Sequence, residues 1–156
     1  MRDRVRRPKE KEYLFNKLKE SSKYVDGFFS TYKDILIFAA ALGFKYTKRI
    51  PFNDSSEPIS LSVFTKDNLY FIDILALGET KDINLLDWED KNTVEKKLTI
   101  FEEYANGGLN IMDRKIFTES GTLYDNFIQL LYEELNDKKN KNELDELTKL
   151  IEIEDI

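Results

Sequence analysis

Apolar residues recur at helical intervals along most of the chain, and turn-forming residues separate the periodic stretches. Lys9 to Glu20 carries a stripe of Tyr13, Leu14, Phe15 and Leu18, with Pro8 suited to the first turn. Thr31 is placed as an N-cap for a second helix, Tyr32 to Leu42, and Gly43 to end it in a left-handed conformation. That helix holds Ile35, Leu36, Ile37, Phe38 and three alanines, so it is apolar almost all round and reads as the buried centre. Its alanines would let neighbouring helices approach closely.

The stretch from Lys45 to Pro58 is polar, contains Pro51 and Pro58, and reads as an exposed loop. Ile59, Leu61 and Val63 alternate with serines, which predicts a small β-element near 59–64 with little to pair with. Asn68 to Gly78 is strongly apolar and fits helix better than strand, because Ile72, Leu75, Ala76 and Glu79 sit well on a helical wheel. An amphipathic helix follows from Asp87 to Ala105, with Val94, Leu98, Ile100, Phe101 and Tyr104 on its apolar face. Asn106-Gly107-Gly108 should punctuate it before helical spacing resumes through Leu109, Met112 and Ile116. Gly121 and Thr122 open another helix, Leu123 to Leu135, and the charged stretch 136–142 leads to a last one over 143–153.

The prediction is a mainly α or all-α fold: one compact domain of six or seven helices around residues 32–42, with one small β-element. Residues 1–9 form a basic arm, 10–135 the globular part, and 136–156 a charged linker with a C-terminal amphipathic helix.

At 156 residues, the chain is long enough to build a core without metal or disulfide. It contains neither cysteine nor histidine. Disulfides, thiolate metal sites and Ser–His or Cys–His catalysis are therefore excluded, and no cofactor or metal is expected. No apolar run reaches the roughly 18 residues of a membrane span, and no signal core follows the basic start, so a cytoplasmic location is expected. Charge is uneven. The first 50 residues carry 13 Lys/Arg against 6 Asp/Glu, while the last 56 carry 6 against 14. A basic end and an acidic end follow.

Three sets of residues invite chemistry. Arg2, Arg4, Arg6, Arg7 and Lys9 could contact DNA phosphates as an arm, in a sequence-blind way; the competing account is a solvated terminus. Asp73, Glu79 and Lys81 supply the letters of a metal-dependent nuclease, although Asp73 lies too near the Glu-x-Lys pair for the usual geometry. Glu102 and Glu103 before the glycines could ligate a hard cation, but read better as the wet face of a helix. Trp88 either anchors a partner or pins a helix start to the core, the latter being favoured. Leu144, Leu147 and Ile151 give the last helix an apolar stripe that could dock within the chain or in a partner's groove.

Residues Arg4 to Lys9, Phe38-Ala-Ala-Ala-Leu-Gly-Phe44 and Phe101-Glu-Glu-Tyr-Ala-Asn-Gly-Gly-Leu109 resemble the bacterial family of DNA phosphorothioation-associated protein 4, also called dnd system-associated protein 4. The resemblance spans most of residues 4–135 and leaves the last helix outside. It implies a setting: systems that place sulfur in the DNA backbone and use the mark in defence against foreign DNA. It carries over no catalytic motif. The expectation is a non-enzymatic adaptor that binds a larger defence protein, an ATPase or nuclease, and optionally DNA, with self-association left open. A small DNA-binding regulator and a nuclease built on Asp73, Glu79 and Lys81 are the alternatives.

Overall fold

The computed structural model describes residues 1–19, 28–118, 120–137 and 149. The fold is mainly α with a small antiparallel β-element. Two compact units divide the chain, Met1–Met112 and Asp113–Ile156.

In the first unit, strand β1 (Arg4–Pro8) pairs antiparallel with β2 (Ser55–Ser60). Three expectations change here. Residues 1–9 are not a free arm; the β-element spans Ser55–Ser60, taking in the end of the stretch read as a loop, while Leu61–Val63 of the expected 59–64 forms a 3-10 turn; and the strand has a partner. Pairing runs Arg4 to Ser60 and Val5 to Ile59, then shifts to Arg7 opposite Ser56 and Pro8 opposite Ser55. Glu57 and Pro58 therefore stand opposite Arg6 alone. Proline has no N–H to give a ladder, and an irregularity is where a sheet tolerates it.

Helix α1 (Glu12–Lys19) buries Leu14, Phe15 and Leu18 and leaves Tyr13 exposed. Helix α2 (Tyr32–Lys45) starts as predicted, the Thr31 hydroxyl accepting from the Asp34 amide. It does not end at Gly43. The helix runs on to Lys45, and the positive φ falls at Thr47. Helix α3 (Lys66–Thr80) confirms the helical reading of the apolar stretch after Asn68. It begins at a reciprocal cap in which Thr65 and Asn68 each accept the other's backbone N–H.

Helix α4 (Lys91–Ile116) is continuous for 26 residues. The predicted break at Asn106-Gly107-Gly108 does not occur, and two predicted helices become one. The glycines serve approach instead of termination. A Cβ on Gly108 would collide with the Ala39 carbonyl of α2, and one on Gly107 with the Lys48 carbonyl. A Cβ on Gly43 would meet the Tyr104 carbonyl. Backbone thus lies against backbone where α2 crosses α4, and Ala39 and Ala40 are fully buried at this level. Five α-helices stand among the described residues, against six or seven expected; the merger accounts for one, and 143–153 lies outside the described residues, Lys149 apart.

In the second unit, Thr122 caps helix α5 (Leu123–Leu135) by accepting the Asp125 amide, and Gly121 takes φ +81 just before it. The Asn126 amide gathers the preceding turn by donating to the carbonyls of Ile116 and Ser120. Phe127 and Leu130 are buried.

Candidate functional site

The charged residues that look chemical in the sequence are mostly tied to one another. On α4, Glu102 lies among Leu98, Ala105 and Leu109 and is fully buried, not on a wet face. A buried carboxylate needs cations and donors to offset its lost hydration. Arg2 and Arg6 supply them. The Arg6 Nε lies 2.9 Å from Glu102 Oε2, the Arg6 backbone N–H donates to Oε1, and the Arg2 guanidinium pairs with the same carboxylate. Arg2 also reaches Glu95 at 3.2 Å. Burial holds the Arg2 guanidinium below its ordinary value, against the pull of Glu95.

Arg7 is buried as well. Its guanidinium sits over the rings of Phe15 and Tyr32, donates to the Glu57 carbonyl at 2.9 Å and pairs with Glu12 at 2.8 Å. A planar, weakly hydrated cation suits that slot where an ammonium would not. Of the five basic residues assigned to DNA, Arg2, Arg6 and Arg7 are thus engaged by this chain. Arg4 and Lys9 remain exposed, Arg4 in a long surface pair with Glu57 at 3.9 Å.

The nuclease letters do not converge. Asp73 on α3 accepts from Lys97 at 2.8 Å and from the Trp88 indole at 3.0 Å. Lys97 has no exposed surface and lies 3.7 Å from the centre of the Trp88 ring. Trp88 therefore closes a buried ion pair near the start of α4. Glu79, at the far end of α3, pairs with Arg49 at 2.9 Å, and Arg49 also holds Glu103 at 2.6 Å. Lys81 caps α3 in a left-handed conformation with its side chain in solvent. Among the described residues no group of three or more His, Cys, Asp or Glu is arranged to hold a metal. Leu144, Leu147 and Ile151 lie outside the described residues.

The Glu79–Tyr104 hydrogen bond gives a measurable pH signature. Burial, then the bond to Glu79, raises the Tyr104 phenol from 10.0 to about 12. The bond from Tyr104, with Arg49 beside it, holds the Glu79 carboxyl below its ordinary value. Between pH 10 and about 12, the unfolded chain gives up this phenolic proton while the folded one keeps it. Stability must therefore fall as pH rises through that window. On the acid side, the Glu79 contribution is complete above its ordinary value and disappears as pH falls through the lowered one. Denaturant titration of wild type and Tyr104→Phe across the alkaline window should show the fall in wild type and a shallower one in the variant. Parallel curves would remove Tyr104 as the cause.

A polar cleft of about 390 Å³ lies beside the 3-10 turn of residues 9–11 and the segment 50–54, lined by Lys9, Lys11, Asn53, Asp54, Asn106 and Asn110 among others. Asn106 is nearly buried; its amide donates to the Ile50 carbonyl, while its Oδ1 has no hydrogen-bond partner. Ammonium and amide groups of this kind can hold oxyanions or peptide carbonyls.

What the described surface does display is apolar. In the first unit Tyr70, Ile74 and Leu77 project from α3; in the second, Ile128, Tyr132 and Leu135 project from α5, with Tyr124 exposed a turn earlier. Sequence periodicity assigns these helices a buried face, but does not reveal that α3 and α5 are apolar on the outer side too. No helix among the described residues is long and apolar enough to cross a membrane.

A family profile described as DNA sulphur modification system-associated protein 4 matches residues 4–150. No curated protein matches the chain, and no solved structure does.

Proposed function

Because the chain belongs to the DNA sulphur modification system-associated protein 4 family, we propose that it is a non-enzymatic adaptor of such a system that docks a larger protein component, an ATPase or nuclease. One observation carries this reading. The acidic and basic side chains that could do chemistry are neutralised inside the fold, while α5 offers Ile128, Tyr132 and Leu135 to solvent, the last 84 % exposed. Exposed tyrosine and aliphatic residues at turn-by-turn spacing are the usual anchors of a helix seated in a partner's groove. The spacing of Leu144, Leu147 and Ile151 extends the same reading on sequence grounds alone.

Co-expression with each neighbouring gene product of the system tests it. The expected result is a stable complex with one of them. Ile128→Glu and Leu135→Glu should weaken that complex about tenfold or more while leaving the melting temperature of the free protein unchanged. If no component of the system is retained, the adaptor reading fails. If the complex forms and both variants bind as wild type does, α5 is not its docking face.

A further inference from the structure

We propose that the outer face of α3 is a self-complementary dimerisation seam, and that its occupant is the α3 of a second copy of this chain in antiparallel orientation. The residues concerned are Asp67, Tyr70, Ile74, Leu77 and Lys81. The first four follow one another at intervals of three, four and three, the spacing that keeps side chains on one line along a helix, and Lys81 is the left-handed cap residue just past its end. All five are exposed, with Tyr70 59 % and Ile74 63 % accessible. The opposite face of α3 is already occupied, since Ile72, Leu75 and Ala76 are buried in the unit's core.

Charge selects the occupant and its direction. The seam carries an acid at one end and a base at the other, and neither side chain has a hydrogen-bond or ion-pair partner among the described residues. That distinguishes them from Asp73 and Glu79 on the same helix, which are both engaged. A two-fold axis through Ile74 sets Ile74 against its own copy. It also sets Asp67 of each copy opposite Lys81 of the other, seven residues away on either side. Both charge pairs form at once, as an isologous contact requires. A parallel pairing would set Asp67 on Asp67 and Lys81 on Lys81, so it is disfavoured by the same charges.

The helix is about 22 Å long, and a stripe of that length falls short of the roughly 800 Å² that each partner buries in a standard interface. Exposed Val63 before α3 and exposed Ile83 and Leu86 after it add apolar surface at the two ends. The antiparallel arrangement brings the Val63 end of one copy toward the Ile83–Leu86 end of the other. The seam and the α5 face belong to different units, so the proposal stands or falls apart from the adaptor reading.

Sedimentation equilibrium on the full chain, over concentrations bracketing the micromolar range, provides the test. Wild type should populate a species of twice 18.4 kDa. Ile74→Glu, at an exposed position where folding is not at stake, should raise the dissociation constant at least about tenfold. Asp67→Lys alone and Lys81→Asp alone should each dimerise more weakly than wild type, because each sets like charges together twice. An equimolar mixture of those two variants should recover the dimer, since every pair across the axis is then opposite in sign. A monomer at all concentrations overturns the proposal. So does a dimer indifferent to Ile74→Glu, or a mixture no tighter than its two components.

Discussion

Gly108→Ala is expected to destabilise the protein by about 3 kcal/mol or more, the reverse of what its helical position suggests. In an open helix interior, alanine is favoured over glycine by about 1 kcal/mol. At Gly108, however, the added methyl group falls on the Ala39 carbonyl of α2, and backbone atoms on both sides prevent an easy retreat. The helices must separate, and the buried contacts around Ala39, Ala40, Ala105 and Leu109 loosen with them. Gly78→Ala is the internal control. Its added methyl meets the end of the Phe44 ring at 2.7 Å, and that side chain is partly exposed and able to swing aside. It should change stability by about 1 kcal/mol or less. Urea titrations of the two variants decide the matter. A Gly108→Ala protein as stable as wild type would mean that the crossing of α2 and α4 is looser than described.

Glu102→Gln should cost about 3–5 kcal/mol, the range found when one member of a buried ion pair is removed and the other left behind. Glutamine keeps the volume and can still accept from the Arg6 amide, but the charge that balances Arg2 and Arg6 is gone. The comparison is Glu95→Gln, which touches the same Arg2 from a side chain that is 61 % exposed. There the loss should stay within about 1 kcal/mol and shrink further in about 1 M salt, where the Debye length falls to about 3 Å. The Glu102 effect should persist at that salt concentration. A small effect at Glu102, or one that salt abolishes, would place the carboxylate in water.

These two sites also mark where sequence reasoning succeeded and where it could not reach. Helical spacing marked the ground of all five described α-helices, with α4 read as two, along with the apolar face of α4 through Val94, Leu98, Phe101 and Tyr104 and the cap at Thr31. It did so because these are local properties: a stripe of burial and one side chain reaching three residues along. The failures are all long-range. Arg4 to Pro8 has a composition that says solvated tail, and becomes a strand only because Ser55 to Ser60 lies beside it and Glu102 waits beneath. Gly107 and Gly108 look the same whether they end a helix or admit another backbone.

One signal was present and legible. Glu102 occupies a place in the series Leu98, Ala105, Leu109, Met112 that an apolar residue would normally take. Lys97 likewise stands beside Leu98 and Phe101 on the inner side. A charge on an apolar stripe predicts a buried counter-charge, and four arginines in the first seven residues were the nearest unexplained supply. The candidate site shows the same contrast. The letters Asp73, Glu79 and Lys81 are close in sequence, yet Asp73 and Glu79 point to different partners 15 to 30 residues away, and a motif match carries no information about that.

The separation of 96 residues between Arg6 and Glu102 also orders events in time. At translation rates of about 5–20 residues per second, roughly 5 to 20 s pass between the two leaving the ribosome. During that interval α1, α2 and β2 can form, but Arg2 and Arg6 still lack the carboxylate that neutralises them. Closing so long a loop is also the slowest kind of contact to establish once the chain is complete. Refolding of this largely helical protein should therefore be paced by the return of a five-residue strand, and its helices should appear before its amino-terminal arginines are sealed.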